Sequence, residues 1–164
     1  MKRSILPLLA VFVICTEVSN SFAFQKKEQI TEITLKREPC FGGCPTYEVV
    51  LRSDGTATYI GKRFVERVGE FDGRFNPYYF ERLAQFIESQ GYFNLQDKYE
   101  EQMTDQNTVI TSAVRRNKRK TIVNYGGEAP VKLWGIEMAI DGVLTQIRWE
   151  RRASRSPKND RGCF

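Results

Sequence analysis

The segment from residue 33 to residue 60 constrains the fold more than any other. Ile33 and Leu35 alternate with Thr34 and Lys36, Tyr47, Val49 and Leu51 alternate with Glu48 and Arg52, and a return strand fits residues 56 to 60. A period of two is the pattern of a strand buried on one face. Pro39-Cys40-Phe41-Gly42-Gly43-Cys44-Pro45 stops the first strand. Ser53-Asp54-Gly55-Thr56 stops the second, and its Asp-Gly pair suits a tight hairpin whose two central residues both take positive φ. In that register Leu51 faces Thr58 and Val49 faces Ile60, which puts the apolar members of both strands on one side. A further strand is expected over residues 64 to 71.

Beyond it the period changes. Asn76-Pro77 is a helix start, with a capping side chain followed by proline at a position where the missing N–H costs nothing. The helix should run to about Gln90, closed by Gly91, with Phe80, Leu83, Ala84 and Ile87 as its core stripe and Tyr79 and Phe86 widening it. The polar, acidic segment 97 to 106 reads as a surface loop. A second hairpin follows, out over residues 108 to 114, turning at Arg116-Asn117-Lys118 and returning over 121 to 125. Pro130 opens a second helix whose stripe is Leu133, Ile136, Ile140, Val143, Leu144 and Ile147, with Trp134 beside it. Gly135 and Gly142 within it each cost up to about 1 kcal/mol relative to alanine, which suggests a kink or a close approach to a strand.

Hairpins grouped around two helices, with no alternating βαβ order, predict an α+β fold: a two-layer sandwich of an antiparallel sheet of five or six strands with two helices on one face. A chain of 164 residues with 41% hydrophobic and 27% charged content supports one such core and not two.

Lys2 and Arg3 precede an eleven-residue apolar run, residues 5 to 15, and Ser21-Phe22-Ala23 has the small-x-small form of a signal-peptidase site. Residues 1 to 23 therefore read as a secretory signal, with the mature chain starting at Phe24. The run falls short of the roughly 20 residues a spanning helix needs, and Glu17 interrupts it. Cys15 follows Phe12-Val13-Ile14 and lacks the small residues that precede a lipidated cysteine. The expected location is the periplasm or the exterior, with no transmembrane segment after cleavage.

Cleavage lowers the net charge from +5 to +4, and residues 151 to 164 account for all of that excess through Arg151, Arg152, Arg155, Lys158 and Arg161 against Asp160. The single domain is thus expected over residues 24 to 150, near neutral, with 151 to 164 as a disordered basic tail too poor in apolar residues to fold. The tail is expected to be solvated without a specific partner, with weak contact to anionic surfaces as the alternative. No nucleic-acid partner is expected.

The chain contains no histidine, which removes the usual near-neutral acid/base, the Ser-His and Cys-His pairs, and the commonest metal ligand. The densest chemistry is Cys40-Phe41-Gly42-Gly43-Cys44-Pro45. Two glycines let the ring close, an exported setting permits oxidation, and a structural disulfide joining the first two strands would contribute about 2 kcal/mol. Two functional readings compete with that clip. A redox pair needs a thiol of depressed pKa, commonly at a helix N-terminus, whereas a strand follows here. Copper(I) would use the two soft thiolates of a C-x-x-x-C-P pattern shared with copper-delivery proteins of respiratory oxidase assembly, with Met103 as a thioether in place of the absent histidine. Structural zinc lacks its four ligands. Cys163 is left as an odd thiol. Arg115, Arg116, Lys118, Arg119 and Lys120 make a basic finger that could hold phosphate or nucleic acid, although hairpins also carry such residues for solubility and to avoid edge pairing, which is the reading preferred here. Asp97, Glu100, Glu101 and Asp105 lack the regular alternation of a calcium loop.

Cys40-Phe41-Gly42-Gly43-Cys44-Pro45, Tyr47, Asp54-Gly55 and Tyr59 together resemble the bacterial family of domain of unknown function 6438, whose exported members share a C-F-G-x-C-P-x-Y opening and a D-G hairpin. Asp105, Thr108, Pro130, Leu133 and Ile140-Asp141 are similar in placement, so the resemblance covers about residues 30 to 150. It implies an envelope location and a single module, and no reaction. The expectation is a non-enzymatic exported module without a cofactor, binding a protein or envelope component, with Cys40 and Cys44 as a clip. Tyr47, Asp105, Arg116 and Lys118 are its candidate binding residues. The alternative is a thiol redox or copper(I)-handling protein using Cys40 and Cys44.

Overall fold

The computed structural model describes residues 29–102 and 104–153. The expected signal segment, Met103 and Cys163 lie outside the described residues, as does the expected tail from residue 154 onward. The elements, in order, are β1 (Ile30–Arg37), β2 (Thr46–Arg52), β3 (Thr56–Arg63), β4 (Gly69–Arg74), α1 (Pro77–Ser89), a single 3₁₀ turn (Tyr92–Asn94), β5 (Lys98–Glu100), β6 (Thr108–Arg115), β7 (Lys118–Tyr125), α2 (Val131–Leu144) and β8 (Arg148–Arg151). The class is α+β as expected. The eight strands form one sheet in the order β5-β7-β6-β1-β2-β3-β4-β8, antiparallel throughout except for the parallel pair β5–β7.

The sheet therefore has eight strands and not five or six. The two extra strands are its edges. β5 lies in the segment read as a surface loop, and β8 follows α2 where the helix stripe was expected to run on to Ile147. Three or four mostly charged residues carry no alternation to read, and short charged strands are what sheet edges tolerate. β8 also shifts the expected start of the tail. Arg151 belongs to the strand, its guanidinium 4.9 Å from the Phe71 ring centre, and Arg152 pairs with Glu70 at 3.0 Å and with Asp72. The strand expected over 64 to 71 begins only at Gly69, because Phe64 takes a left-handed φ of 55° and turns the chain into a loop.

One register is corrected. Leu51 pairs with Ala57 and Val49 with Tyr59, one residue away from the expected facing. The hairpin has a three-residue loop, Ser53-Asp54-Gly55, in which Gly55 alone has positive φ, at 81°. The Gly55 N–H donates to the Arg52 carbonyl at 3.0 Å, and the Asp54 carboxylate accepts from the Thr56 N–H at 2.9 Å. A single left-handed residue at the third loop position makes the bulged hairpin, and the slip turns Tyr59 inward and Ile60 outward. The second hairpin forms where expected, but its turn has two residues and not three: Arg116 and Asn117 both take positive φ, and Lys118 already belongs to β7, paired with Arg115.

Ile33, Leu35, Val49, Leu51 and Ile122 of the sheet join Phe80, Leu83 and Ile87 of α1 and Leu133, Ile136 and Ile140 of α2 in one buried cluster. Each such side chain contributes about 1.5–3 kcal/mol of apolar burial. Asn76 caps α1 by accepting from the Tyr78 N–H at 3.0 Å, and Gly91 closes it at φ 69°. The expected close approach at Gly135 and Gly142 is replaced by ordinary spacing. An added Cβ at Gly135 would sit 3.8 Å from Phe86, and at Gly142 it would meet nothing. Close approaches fall instead in the sheet, against backbone at Gly61 and against the Trp149 ring at Gly73, with the Arg151 side chain near Gly69.

Candidate functional site

The alternation that buries Ile33 and Leu35 continues to Arg37, which places a guanidinium on the inner face of β1. Its neighbour across the ladder is Tyr47. From above, Asp141 on α2 completes a cluster. Arg37 Nη2 donates to Asp141 Oδ2 at 2.6 Å, Arg37 Nε donates to the Tyr47 hydroxyl at 3.0 Å, and that hydroxyl donates to Asp141 Oδ1. Burial works against the guanidinium's charge, but Asp141 and Tyr47 outweigh it and hold Arg37 above its ordinary pKa. Burial, reinforced by the hydrogen bond to Asp141, pushes the Tyr47 phenol far above its usual range. Tyr47 is thus a fixed neutral donor and not a base or nucleophile at neutral pH.

One turn earlier on α2, Glu137 points into the core at 3% exposure, where Asn124 Nδ2 of β7 donates to it at 2.9 Å. Burial raises its pKa, with the Asn124 bond opposing. Two carboxylates four residues apart pin the same helix to three strands, Glu137 to β7 and Asp141 to β1 and β2.

Outward from Asp141 the inner face of the sheet is not roofed by helix. Tyr59 is the centre of an aromatic floor, with its ring centre 5.5 Å from that of Tyr47, 5.5 Å from Trp149 and 6.3 Å from Phe71. Trp149 is fixed by donating its indole N–H to the Leu144 carbonyl at 3.3 Å. Two glycines allow this arrangement. A Cβ at Gly73 would lie 2.7 Å from the Trp149 ring, and one at Gly61 would overlap the Arg67 carbonyl and come 2.8 Å from the Tyr59 ring. The loop between β3 and β4 therefore folds back over Gly61 and walls the floor with Phe64, Val65, Glu66 and Arg67. The result is an open groove of about 300 Å³, bounded by that loop, by Asp141 and Leu144 of α2, and by Pro45.

The cysteines sit at its rim. Cys40 and Cys44 form a disulfide with a Cα–Cα separation of 5.7 Å, and Thr46 Oγ1 donates to the Cys44 carbonyl at 3.3 Å. The ring thus fixes the strand entry that carries Pro45 and Tyr47. Its Phe41 side chain stands 87% exposed, while the Phe41 N–H donates to the Asp105 carbonyl at 3.5 Å.

Of the candidate binding residues, the structure brings Tyr47 into the groove. Asp105 meets the cysteine ring through its backbone and does not line the groove. Arg116 and Lys118 sit at the β6–β7 turn, beside the start of β1, at the opposite end of the sheet from Arg37. The rest of the basic finger is engaged within the chain: the Arg115 guanidinium lies 3.8 Å from the Phe93 ring centre, Arg119 donates to Ser112 at 2.7 Å, and Lys120 donates to the Leu95 carbonyl at 2.7 Å. Sequence reasoning missed Arg37 and Glu137, although each breaks an apolar period. Arg37 follows Ile33 and Leu35 at the core-facing position, and Glu137 stands between Leu133 and Ile140. A second cavity, about 220 Å³ between α1 and the start of β1, is lined by Ile30, Pro77, Phe80 and Ala84 and contains none of the candidate residues.

The class these features define is a single-sheet α+β module with one aromatic-floored groove beside its helix layer. The chain belongs to the family described as Domain of unknown function (DUF6438), whose model matches residues 31–144. No curated protein and no solved structure matches it. The matched span contains Arg37, the cysteine ring, Tyr47, Tyr59 and Asp141, and ends before Trp149.

Proposed function

We propose that this chain is an exported, non-enzymatic binding module whose partner, a protein or envelope component, is held in the groove floored by Tyr47, Tyr59 and Trp149. The observation that carries the reading is convergence. Pro45, Tyr47, Tyr59 and Asp141 come from separate parts of the family-like pattern and line the same groove. A hydrophobic concavity with a few convergent polar groups is the usual form of a binding site. The chemistry at its base favours binding over catalysis, because the Tyr47 phenol is held protonated and both Asp141 oxygens are already engaged. The disulfide acts as a clip for the rim. Thr46 begins a strand directly after the ring, so no helix N-terminus is present to depress a thiol pKa as the redox alternative requires. Export rests on the basic, apolar and small-x-small sequence of residues 1 to 23.

Site-specific photo-crosslinking in the exporting cell tests this reading. Phe64 on the groove wall and Tyr78 on α1 are equally exposed aromatics, at 55% and 57%. A photoreactive phenylalanine at position 64 should give a discrete adduct and one at position 78 none. Equal yields at the two positions, or none at 64, would overturn it.

A further inference from the structure

We propose that the outer face of the sheet, opposite the groove, carries a second site, where Arg52, Arg74 and Arg148 hold a phosphate group, either free or as a monoester. The site is an open concavity of about 320 Å³ lined by these three arginines, by Thr56 and Thr58, and by two acids. It shares no residue with the groove and does not depend on the reading given to it.

The strand register assembles the site. Ala57, Tyr59 and Phe71 are buried, so Thr56, Thr58, Asp72 and Arg74 fall on the outer face by the period of two. Across the ladder Arg74 faces Thr56 on one side and Arg148 on the other. Arg52 ends β2 next to the Leu51–Ala57 pair, and therefore stands beside Thr56. Three strands thus bring three guanidinium groups to one row, two of them directly opposed. Like charges directly opposite each other destabilise a sheet. Protection of the β8 edge does not require this, because charges of alternating sign guard an edge as well. On the far edge, β5, Lys98 closes on Glu100 at 2.7 Å.

The neighbouring acids leave these arginines unsatisfied. Asp72 accepts on both oxygens from Arg152, from Nε at 3.0 Å and from Nη2. Glu150 comes only within 4.0 Å of Arg148, and Glu32 within 3.7 Å of Arg52, both beyond hydrogen-bond reach. Among the described residues the Arg74 side chain has no ion-pair or hydrogen-bond partner. Arg37, Arg119 and Arg152, in contrast, all donate to carboxylates.

Unmet donors around a cavity select an anion, and their arrangement selects its shape. Each guanidinium is a planar fork of N–H donors. A carboxylate offers two oxygens in one plane, which one fork fills. A phosphate offers oxygens on a tetrahedron and can meet forks from both sides, Arg52 on one and Arg74 with Arg148 on the other. The Thr58 hydroxyl adds a donor. Asp72 is neutralised by Arg152, and Glu150, 78% exposed, is screened by solvent, so neither acid repels the ligand strongly. The open side leaves room for the rest of an ester.

The test follows backbone amides of the full-length protein by nuclear magnetic resonance at constant ionic strength. Inorganic phosphate, glycerol phosphate and malonate are titrated, malonate placing the same double charge on planar groups. Both phosphates should shift Thr58, Arg74 and Arg148 saturably and bind about tenfold more tightly than malonate. The tighter of the two phosphates identifies the source as an ester or as the free ion. Arg148→Thr and Arg74→Gln should each weaken phosphate about tenfold. Because each removes the opposed charge, neither should lower the melting temperature in chloride. Lys98→Gln, which removes a like charge from the far edge, should leave binding unchanged. Malonate as tight as phosphate, or equal weakening by Lys98→Gln and Arg148→Thr, would mean diffuse attraction and overturn the proposal. So would the absence of a saturable shift.

Discussion

Glu137 and Asp141 stand one helical turn apart on α2 and do different things. Glu137 is sealed between helix and sheet and accepts from Asn124, whereas Asp141 is held by Arg37 and Tyr47 and reaches the groove. The difference comes from what the sheet offers beneath each residue. Under Glu137 lies β7, where Ile122 and Asn124 are buried. Beside Asp141 lie β2 and β3, whose inner faces continue past the helix toward β4 and β8. The same spacing of carboxylates thus yields a structural pin on one side and a groove-facing group on the other. A buried carboxylate is not a functional signal in itself; access decides.

The largest expected effect comes from breaking the open-side cluster. Arg37→Met should cost about 3 kcal/mol in chemical denaturation, because Asp141 is left partly buried without its cation. A loss below about 1 kcal/mol would mean that Asp141 is solvated in place and that the two carboxylates differ less than described here.

Removing the rim clip should matter next. The double variant Cys40→Ser/Cys44→Ser should lose about 2 kcal/mol, the loop-entropy value for a five-residue ring, and stay folded. If it lost ligand binding entirely at unchanged stability, the thiol alternative would gain over the clip.

The sealed side is sharpened by pH. Burial raises the Glu137 pKa in the folded state above its unfolded value, so the folded protein binds that proton more tightly. Its contribution to stability is then present below the unfolded pKa and is lost as pH rises through the folded one. Unfolding followed from pH 4 upward should show this decline in the wild type and less of it in Glu137→Gln, with groove binding unchanged. An identical slope in both would remove Glu137 as the titrating group.

The smallest effect is expected at Trp134, 59% exposed on the outer side of α2. Trp134→Ala should change stability by less than about 0.5 kcal/mol. A larger loss would show that the outer face of α2 is packed.

Much of the fold was legible in local pattern. The α1 boundaries followed from Asn76-Pro77 and Gly91, the β6–β7 hairpin from the polar tip around Arg116-Asn117-Lys118, and the strand identities of β1, β2 and β3 from alternation. Local rules failed where several arrangements satisfied the same residues. Asp54-Gly55 is compatible with a two-residue and a three-residue loop, and only the packing of Tyr59 against Tyr47 and Trp149 selects the second. β5 and β8 are strands because a ladder was available to extend, which their own few residues cannot signal.

The candidate site divides in the same way. The sequence by itself determined a cysteine ring able to close and Tyr47 and Tyr59 on neighbouring strands, and the alternation that carries Arg37 to the core-facing side of β1 was present in it although it went unread. These follow from periods of two and 3.6 residues, which need no knowledge of the rest of the chain. The tertiary structure alone decided that Asp141 meets Arg37 more than a hundred residues away, that Gly61 and Gly73 clear space for a loop and an indole, and that the helix layer stops short of β4 and β8. Each of those depends on where two distant elements come to rest, and that is set by the packing of the whole core.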